Sequence, residues 1–132
     1  MSRRRSEALP KGARVRRRGD YVRAGREGRR FGIEGFVILV RPTGGGRPRL
    51  GVTVSTKVSG AVGRNRIRRV VREVFRRNQE LFPPQSDVVF IARPGEVDAA
   101  AIGYGALRQR IERLARRWAA PWAGSPSQPR SS

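Results

Sequence analysis

The segment at 63–77, GRNRIRRVVREVFRR, limits the possible folds of this chain more than any other stretch. Read as a helix, it gathers its large apolar residues at i, i+3, i+4, i+7 and i+8 into one stripe, formed by Ile67, Val70, Val71, Val74 and Phe75. Arginine recurs at every fourth position along one edge of that stripe, and Glu73 is the only acid in the segment. The pattern predicts a helix that buries one face in a core and offers the other to a polyanion.

The charge of the whole chain points the same way. It has 30 Lys and Arg against 10 Asp and Glu, a net charge of +20 in 132 residues. Such an excess destabilises a compact state by self-repulsion unless a polyanion neutralises it. Most of the cations are arginines, whose planar guanidinium suits bidentate phosphate contacts and stacking on bases, although a GC-rich genome would also enrich arginine. Composition therefore indicates a protein that binds a polyanion.

Several kinds of chemistry are excluded by composition. The chain has no cysteine and no histidine, which rules out disulfides, Cys/His metal sites, thiol nucleophiles and imidazole acid–base catalysis. The acids are scattered, and nothing in the sequence suggests the converging carboxylates with which a protein nuclease holds Mg²⁺. No apolar run approaches the ~20 residues of a membrane span, and no apolar segment follows the basic N-terminus as in a secretory signal. We expect a cytoplasmic protein without a metal site of its own.

The chain is predicted to form one α/β or α+β domain at 13–120, between a flexible basic arm at 1–12 and a disordered tail at 121–132. Alternating apolar residues predict a strand at 31–40, and a second strand at 49–55 pairs with it as a hairpin across a glycine-rich turn. An apolar run predicts a buried strand at 87–93, and the helices are expected at 20–26, at 63–78 and from the Asp98 cap to about residue 120. The last helix has its own core stripe, formed by Leu107, Ile111, Leu114 and Trp118.

A more specific pattern lies at 50–75, LGVTVSTKVSGAVGRNRIRRVVREVF, which closely resembles the signature of the protein component of bacterial ribonuclease P. That pattern is a strand ending in Gly-x-x-Val-Ser-Lys-Lys, then Gly-x-Ala-Val-x-Arg-Asn-x-x-Lys-Arg and a Leu-Arg-Glu continuation. The matching residues are Gly51, Val54, Ser55, Lys57, Gly60, Ala61, Val62, Arg64, Asn65, Arg68, Arg69, Arg72 and Glu73, allowing arginine for lysine at position 68. Similar flanking segments extend the resemblance to roughly residues 9–119.

The resemblance implies a fold that periodicity does not give. It is an α/β sandwich of the ribosomal protein S5 domain 2 type, with a mixed four-stranded sheet and a left-handed β-α-β crossover, the rare hand. The implied function is that of the protein subunit of ribonuclease P, the endoribonuclease that removes the 5′ leader of precursor tRNA. The RNA subunit with bound Mg²⁺ would carry the catalysis, so no residue of the protein is expected to be catalytic. The expected partners are ribonuclease P RNA and precursor tRNA, with no membrane and no obligate protein partner.

The resemblance also assigns residues to two RNA-binding roles. Those expected to contact the RNA subunit are Arg64, Asn65, Arg66, Arg68, Arg69 and Arg72. A cleft between the first helix and the sheet would hold the leader, lined by Tyr21, Phe31, Phe36, Val52 and Val54, with Arg16, Arg17 and Lys57 on its phosphates. From the residues alone, Asn65 could equally cap the helix, and Tyr21 and Phe31 are more typical of a core.

Two positions depart from the family pattern. Many relatives carry an aromatic residue four positions after the one that matches Tyr21, where this chain has Gly25, and Thr56 replaces the first lysine of the Lys-Lys pair. Contacts with the leader are therefore expected to be weaker or shifted. The alternative function is that of a ribosomal or other structural RNA-binding protein of the same fold; a basic DNA-binding protein ranks third and a free protein nuclease last.

Overall fold

The described part of the chain comprises residue 9, residues 11–95 and residues 97–122 of a computed structural model. Its helices are α1 (Arg18–Glu27), α2 (Ala61–Arg77) and α3 (Tyr104–Trp122), and its strands are β1 (Arg29–Ile33), β2 (Phe36–Pro42), β3 (Arg49–Thr53) and β4 (Ser86–Ala92). Short 3-10 turns lie at Lys11–Ala13, Gln79–Leu81 and Ala99–Ala101. None of the helices in these ranges is long and apolar enough to cross a membrane. Most of the arm predicted at 1–12 and of the tail predicted at 121–132 falls outside the described residues.

The four strands form one mixed sheet in the order β1-β2-β4-β3. The pairs β1·β2 and β2·β4 are antiparallel, whereas β3 and β4 are parallel neighbours joined through α2. The α+β class and the mixed four-stranded sheet are thus confirmed. The chain contains the β3-α2-β4 crossover that the resemblance implies, and its left hand stays a prediction.

The hairpin predicted between residues 31–40 and 49–55 is wrong. Gly35, with φ of 88°, makes a tight turn that divides the first predicted strand into β1 and β2. The alternating pattern of apolar residues continues across this turn, because β1 and β2 each have one apolar face, so the sequence shows no sign that the strand is interrupted. β3 does not pair with β2, because β4 lies between them, and the glycine-rich segment at 43–48 carries the chain past β4 to the edge of the sheet.

The main core lies between one face of the sheet and the helices α2 and α3. The predicted stripes supply it, since Ile67, Val71, Val74 and Phe75 of α2 and Leu107, Ile111, Leu114 and Trp118 of α3 are buried. α2 ends at Arg77 because Asn78 leaves the helical conformation and its side-chain amide donates to the carbonyl of Val74 at 2.8 Å. Asp98 does not cap α3 as predicted. It accepts from the backbone N–H of Ala100 and caps the 3-10 turn there, and α3 begins only at Tyr104.

The other face of the sheet carries α1, as predicted for a helix near residues 20–26. Its fully buried Ala24 packs on Leu39 and Val89, which are register partners on β2 and β4. Tyr21 packs against the same cluster and reaches the neighbouring position on β3, Gly51. A Cβ on Gly51 would stand 2.9 Å from the Tyr21 ring, so only glycine lets the ring approach the strand this closely.

A buried ionic row fixes α1 to this face. Asp87 has no exposed surface, and it accepts two hydrogen bonds of 2.8 Å from Arg49 and one of 3.5 Å from Arg41, its register partners on β3 and β2. Arg49 also donates to Asp20 at 3.3 Å, and Arg41 donates to Glu27 at 3.0 Å. The bond from Arg49 to Asp87 raises the pKa of the Arg49 guanidinium by favouring its charged form. Both ends of α1 are therefore tied to the sheet through one carboxylate.

We predict that Asp87→Asn, which keeps the shape and removes the charge, lowers the free energy of unfolding by about 3 kcal/mol. Arg41 and Arg49 would then lie side by side without the buried negative charge that they share. Because both arginines are partly exposed to solvent, we expect a loss of stability at the low end of the range measured for broken buried ion pairs. Urea denaturation measures the change. Glu112→Gln is the control, because Glu112 pairs with Arg108 at an exposed site where ion pairs contribute at most about 1 kcal/mol. Equal stability losses in the two variants would contradict the role given to Asp87.

We also predict that Gly51→Ala destabilises the protein by about 1–3 kcal/mol, the usual cost of overpacking, because the added methyl collides with the Tyr21 ring. Gly32→Ala on β1 is the matched control, since a Cβ there meets nothing within 4 Å. In a Tyr21→Ala background, a double-mutant cycle should show that the Gly51→Ala cost largely disappears. A cost that persists without the tyrosine ring would refute this explanation.

Candidate nucleic-acid interface

The N-terminal half of α2 carries the residues predicted to contact the RNA subunit, and two of them are tied to neighbouring backbone. Arg64 donates to the carbonyl of Ser59 at 2.9 Å, and Arg66 donates to that of Ala100 at 2.7 Å. Each guanidinium has five N–H donors, so these bonds orient the group and leave donors for a ligand. Asn65 is exposed inside the helix, and the N-cap is Gly60, so the capping role considered for Asn65 is wrong. The helix begins two residues before the predicted start.

Further along α2, Arg68 and Arg72 lie one turn apart, and Arg72 is also close enough to Arg14, which precedes α1, to be repelled by it. Burial, followed by repulsion from Arg14 and Arg68, lowers the pKa of Arg72. The only acid of α2, Glu73, is bonded to Arg76 at 2.9 Å and 3.1 Å, and those bonds lower its pKa. Glu73 therefore neutralises Arg76 and leaves the cluster of Arg14, Arg68 and Arg72 with a strong positive potential.

Arg14 connects this cluster to a second basic surface. Its segment runs along the free edge of β3, where Arg14 forms a parallel bridge with Leu50. There it enters a cleft of about 510 Å³ at the start of α1, lined by Gly12, Arg14, Arg16, Arg17, Gly19, Asp20, Arg23 and Arg49. The single acid of this lining, Asp20, is engaged by Arg23 and Arg49. The predicted phosphate ligands Arg16 and Arg17 are thus placed together in a strongly cationic cleft.

Next to α1, one row of the sheet is only partly covered. Val37, Ile91 and Thr53 are register partners across β2, β4 and β3, adjacent to the row on which Ala24 and Tyr21 pack. Val37 and Ile91 are half-buried, and Thr53 is exposed. We call these three residues the open row. Arg93 lies two positions after Ile91, on the same side of the chain, and is exposed. The apolar surface formed by Val37 and Ile91 therefore has a cation at its end.

Most of the predicted cleft lining lies on the wrong face of the sheet. Phe31 is buried against Trp118, Phe36 is buried against Phe90, and Val52 and Val54 pack on the same core under α2 and α3. Of the predicted apolar lining, only Tyr21 lies on the α1 face. Alternation shows which residues share a face, but it does not show which face meets α1.

Sequence reasoning missed the open row, although a signal for it exists. Once Tyr21 is placed over Gly51, the period of two puts Thr53 on the α1 face and Val52 on the opposite face. The sheet register then brings Ile91 and Val37 beside Thr53. The missing information was the pairing of β3 with β4, which the predicted hairpin concealed.

Lys57, the third predicted phosphate ligand, lies away from Arg16 and Arg17. It lines a cleft of about 270 Å³ with Val58, Arg93, Pro94, Gly95, Val97, Asp98 and Ala99, beyond the ends of β3 and β4. Among the described residues, no group of three or more Asp, Glu, His or Cys side chains is placed to hold a metal ion. The arrangement in this part of the chain consists of cationic patches around an apolar floor, which suits phosphates and unpaired bases.

Comparisons with known proteins agree with this geometry. The family model described as Ribonuclease P matches residues 9–119. A ribonuclease P protein component of Desulfotalea psychrophila is 45% identical over 87 residues, covering 66% of this chain and 72% of that protein. One from Desulfovibrio desulfuricans is 37% identical over 119 residues, covering 89% of this chain and 91% of that protein.

Solved structures show the same likeness. The RNase P protein from Thermotoga maritima superposes with a TM-score of 0.70 at 34% identity, covering 79% of this chain and 96% of that one. The Staphylococcus aureus RNase P protein gives 0.68 at 25% identity, covering 80% and 94%. The family match includes nearly the whole described chain, and the shared fold includes the mixed sheet and its helices. This chain therefore belongs to the ribonuclease P protein family, and its role lies in the maturation of the tRNA 5′ end.

Proposed function

We propose that this protein holds two RNAs on neighbouring surfaces: the catalytic RNA subunit on α2, and the 5′ leader of precursor tRNA beside α1. The observation that carries the proposal is the cluster of Arg14, Arg68 and Arg72. Arg14 belongs both to this cluster and to the cleft at the start of α1, so one continuous cationic surface reaches from α2 to α1. Two polyanions that repel each other would be neutralised along the same surface.

The α2 surface suits a folded RNA. The side chains of Arg68, Arg69 and Arg72 make no hydrogen bond or ion pair within the described part of the chain, so their guanidinium groups are available for phosphate oxygens. Arg64 and Arg66 are oriented by backbone carbonyls and add donors at the start of the helix. Exposed Asn65 between them can both donate and accept, which phosphate and sugar groups can use.

The α1 surface suits a single strand. Tyr21, packed on Gly51, offers an aromatic group beside the open row, and the half-buried Val37 and Ile91 give an apolar floor for unpaired bases. Cations flank this floor, with Arg16 and Arg17 in the cleft at the start of α1 and Lys57 near Arg93. Because Gly25 is exposed and carries no ring, α1 lacks one stacking partner, which is worth about 1–3 kcal/mol per base.

In this proposal the RNA subunit, with Mg²⁺ bound to it, hydrolyses the phosphodiester bond, and the protein positions the substrate. The composition supports this division, since the chain has no histidine or cysteine. The described residues also offer no carboxylate cluster that fits Mg²⁺, so the ion is assigned to the RNA. The protein's contribution is electrostatic and geometric: arginines offset phosphate repulsion, and the open row places the leader.

The two surfaces can be tested separately with one substitution on each. Arg68→Gln should weaken binding of the RNA subunit and reduce the slope of log affinity against log salt by about 0.7–0.9, the value for one lost phosphate contact. Tyr21→Ala should weaken binding of precursor tRNA to the assembled complex by about 5- to 150-fold, the equivalent of one stacked base, and leave mature tRNA unaffected. Filter binding over a salt series measures both effects.

Arg116→Gln is the control, because it removes one exposed arginine of α3 that lies on neither surface. Unchanged RNA-subunit binding by Arg68→Gln would contradict the role of α2. Equal losses of precursor and mature tRNA in Tyr21→Ala would contradict the leader assignment. The Arg116→Gln protein should match the parent in all of these measurements.

A further inference from the structure

A third cationic site lies at the opposite edge of the sheet from β3. There α3 passes beside β1, the other edge strand, and the two enclose a cleft of about 290 Å³. Its lining is Gly32, Ile33 and Glu34 from the β1 hairpin and Arg110, Arg113, Leu114 and Arg117 from α3. We call this the α3–β1 cleft. It is lined by none of the residues assigned to the RNA subunit or to the leader.

Arg110 of the cleft lining has a hydrogen-bond donor without a partner among the described residues. Its Nη2 donates to Glu34 at 2.7 Å, while its Nη1 is buried and has no hydrogen-bond partner in the described part of the chain. A buried donor without an acceptor costs free energy, more so when it is charged. An anion in the cleft would supply an acceptor to this guanidinium, whose orientation Glu34 already fixes.

Arg117 is held by an aromatic ring: its guanidinium lies over the ring of Phe31, with its carbon 5.8 Å from the ring centroid. Phe31 is itself buried against Trp118, so the ring is a rigid support. A cation–π contact with the ring uses none of the guanidinium N–H donors as a hydrogen bond would, so they stay able to donate to a ligand. Arg117 is therefore preorganised in a way that an ordinary solvated arginine is not.

The lining of the cleft has an excess of positive charge. Arg110, Arg113 and Arg117 recur at i, i+3 and i+7, on one side of α3, and Glu34 is the single acid of the lining. The excess of two positive charges matches a phosphodiester group with a neighbouring phosphate. A merely solvated basic face would not need one arginine anchored by a carboxylate and a second anchored by a buried ring.

We propose that the α3–β1 cleft binds a backbone phosphate of RNA, a third RNA contact beyond the two of the proposed function. The α3–β1 cleft lies beside β1, whereas the α2 surface lies towards β3, the opposite edge of the sheet. In this proposal the protein therefore contacts RNA at both edges of the sheet. Two sources share this chemistry, the RNA subunit and the tRNA body. The proposed function enters only in naming these two RNAs.

The test compares two proteins with the same net charge. Arg113→Gln combined with Arg117→Gln removes two cations of the cleft, and Arg116→Gln combined with Arg47→Gln removes two exposed cations outside it. With at least one of the RNAs tested, the Arg113→Gln/Arg117→Gln variant (the cleft variant) should bind about tenfold more weakly than the parent. Its slope of log affinity against log salt should be smaller by at least about 0.7–0.9. The control should change by less than half of that. Binding is measured with the RNA subunit alone, with precursor tRNA and with mature tRNA.

A loss confined to the RNA subunit identifies it as the source, and a loss with both tRNA forms identifies the tRNA body. Equal behaviour of the cleft variant and the control with every RNA overturns the proposal. Thermal melts of both variants check that the fold is intact. If the parent protein bound neither the RNA subunit nor tRNA, the proposed function itself would fail. Anion binding in the cleft is therefore also measured with a readout that does not depend on these RNAs.

That readout is a titration of the full chain with inorganic phosphate, followed by NMR of the arginine Nε–H groups. Signals of Arg110 and Arg117 should shift and saturate at a phosphate concentration at which the Arg116 signal has barely moved. Glu34→Gln, which keeps an acceptor oxygen to orient Arg110 and removes only the competing negative charge, should tighten this binding. Equal shifts at Arg110, Arg117 and Arg116 would mean only unspecific ion association and would overturn the site.

Discussion

The arrangement of this protein depends on one buried carboxylate. Asp87 lies in the middle of the sheet between Arg41 and Arg49, and these two arginines reach the acids at opposite ends of α1. In a chain with a net charge of +20, the buried acid lets two cations lie side by side on neighbouring strands. It also sets where α1 crosses the sheet. The helix covers the row of Leu39, Val89 and Gly51 and leaves the next row open, so a structural ion network determines the place of the surface proposed for the leader.

The small number of acids also determines the charge distribution over the rest of the surface. Most acids in the described part of the chain are paired with arginines, namely Asp20, Glu27, Glu34, Glu73, Asp87 and Glu112. Each pair partly neutralises an arginine, and among the arginines that no acid engages, several lie together in groups. Arg14, Arg68 and Arg72 join α2 to α1, and Arg113 and Arg117 line the cleft beside β1. Membership in the ribonuclease P protein family gives these cations a partner of matching charge.

Much of the fold could be predicted from the sequence where a local pattern determines it. The stripes of α2 and α3 and the apolar run of β4 each contain their own signal, and all three elements exist, although α2 begins two residues earlier and α3 begins later than predicted. Strand pairing could not be predicted in this way, because the partner of β3 lies beyond a whole helix. The unknown pairing of β3 with β4 explains the incorrect hairpin. It also explains why Phe36 and Val52 were assigned to the cleft while Val37 and Ile91 were missed. The position of Arg68 and Arg72 together on α2 was easier to predict, since both belong to one contiguous motif, and their contact with the RNA subunit stays a prediction.

The central claim is that the protein holds the RNAs and that the RNA subunit cuts. Reconstitution tests it most directly: purified protein, the bacterial RNA subunit and precursor tRNA are combined at low Mg²⁺, and formation of the mature 5′ end is followed with each component omitted in turn. The account predicts slow cleavage by the RNA subunit alone, much faster cleavage when the protein is added, and none by the protein alone. Cleavage at the same rate with and without the protein, or cleavage by the protein in the absence of the RNA subunit, would contradict it.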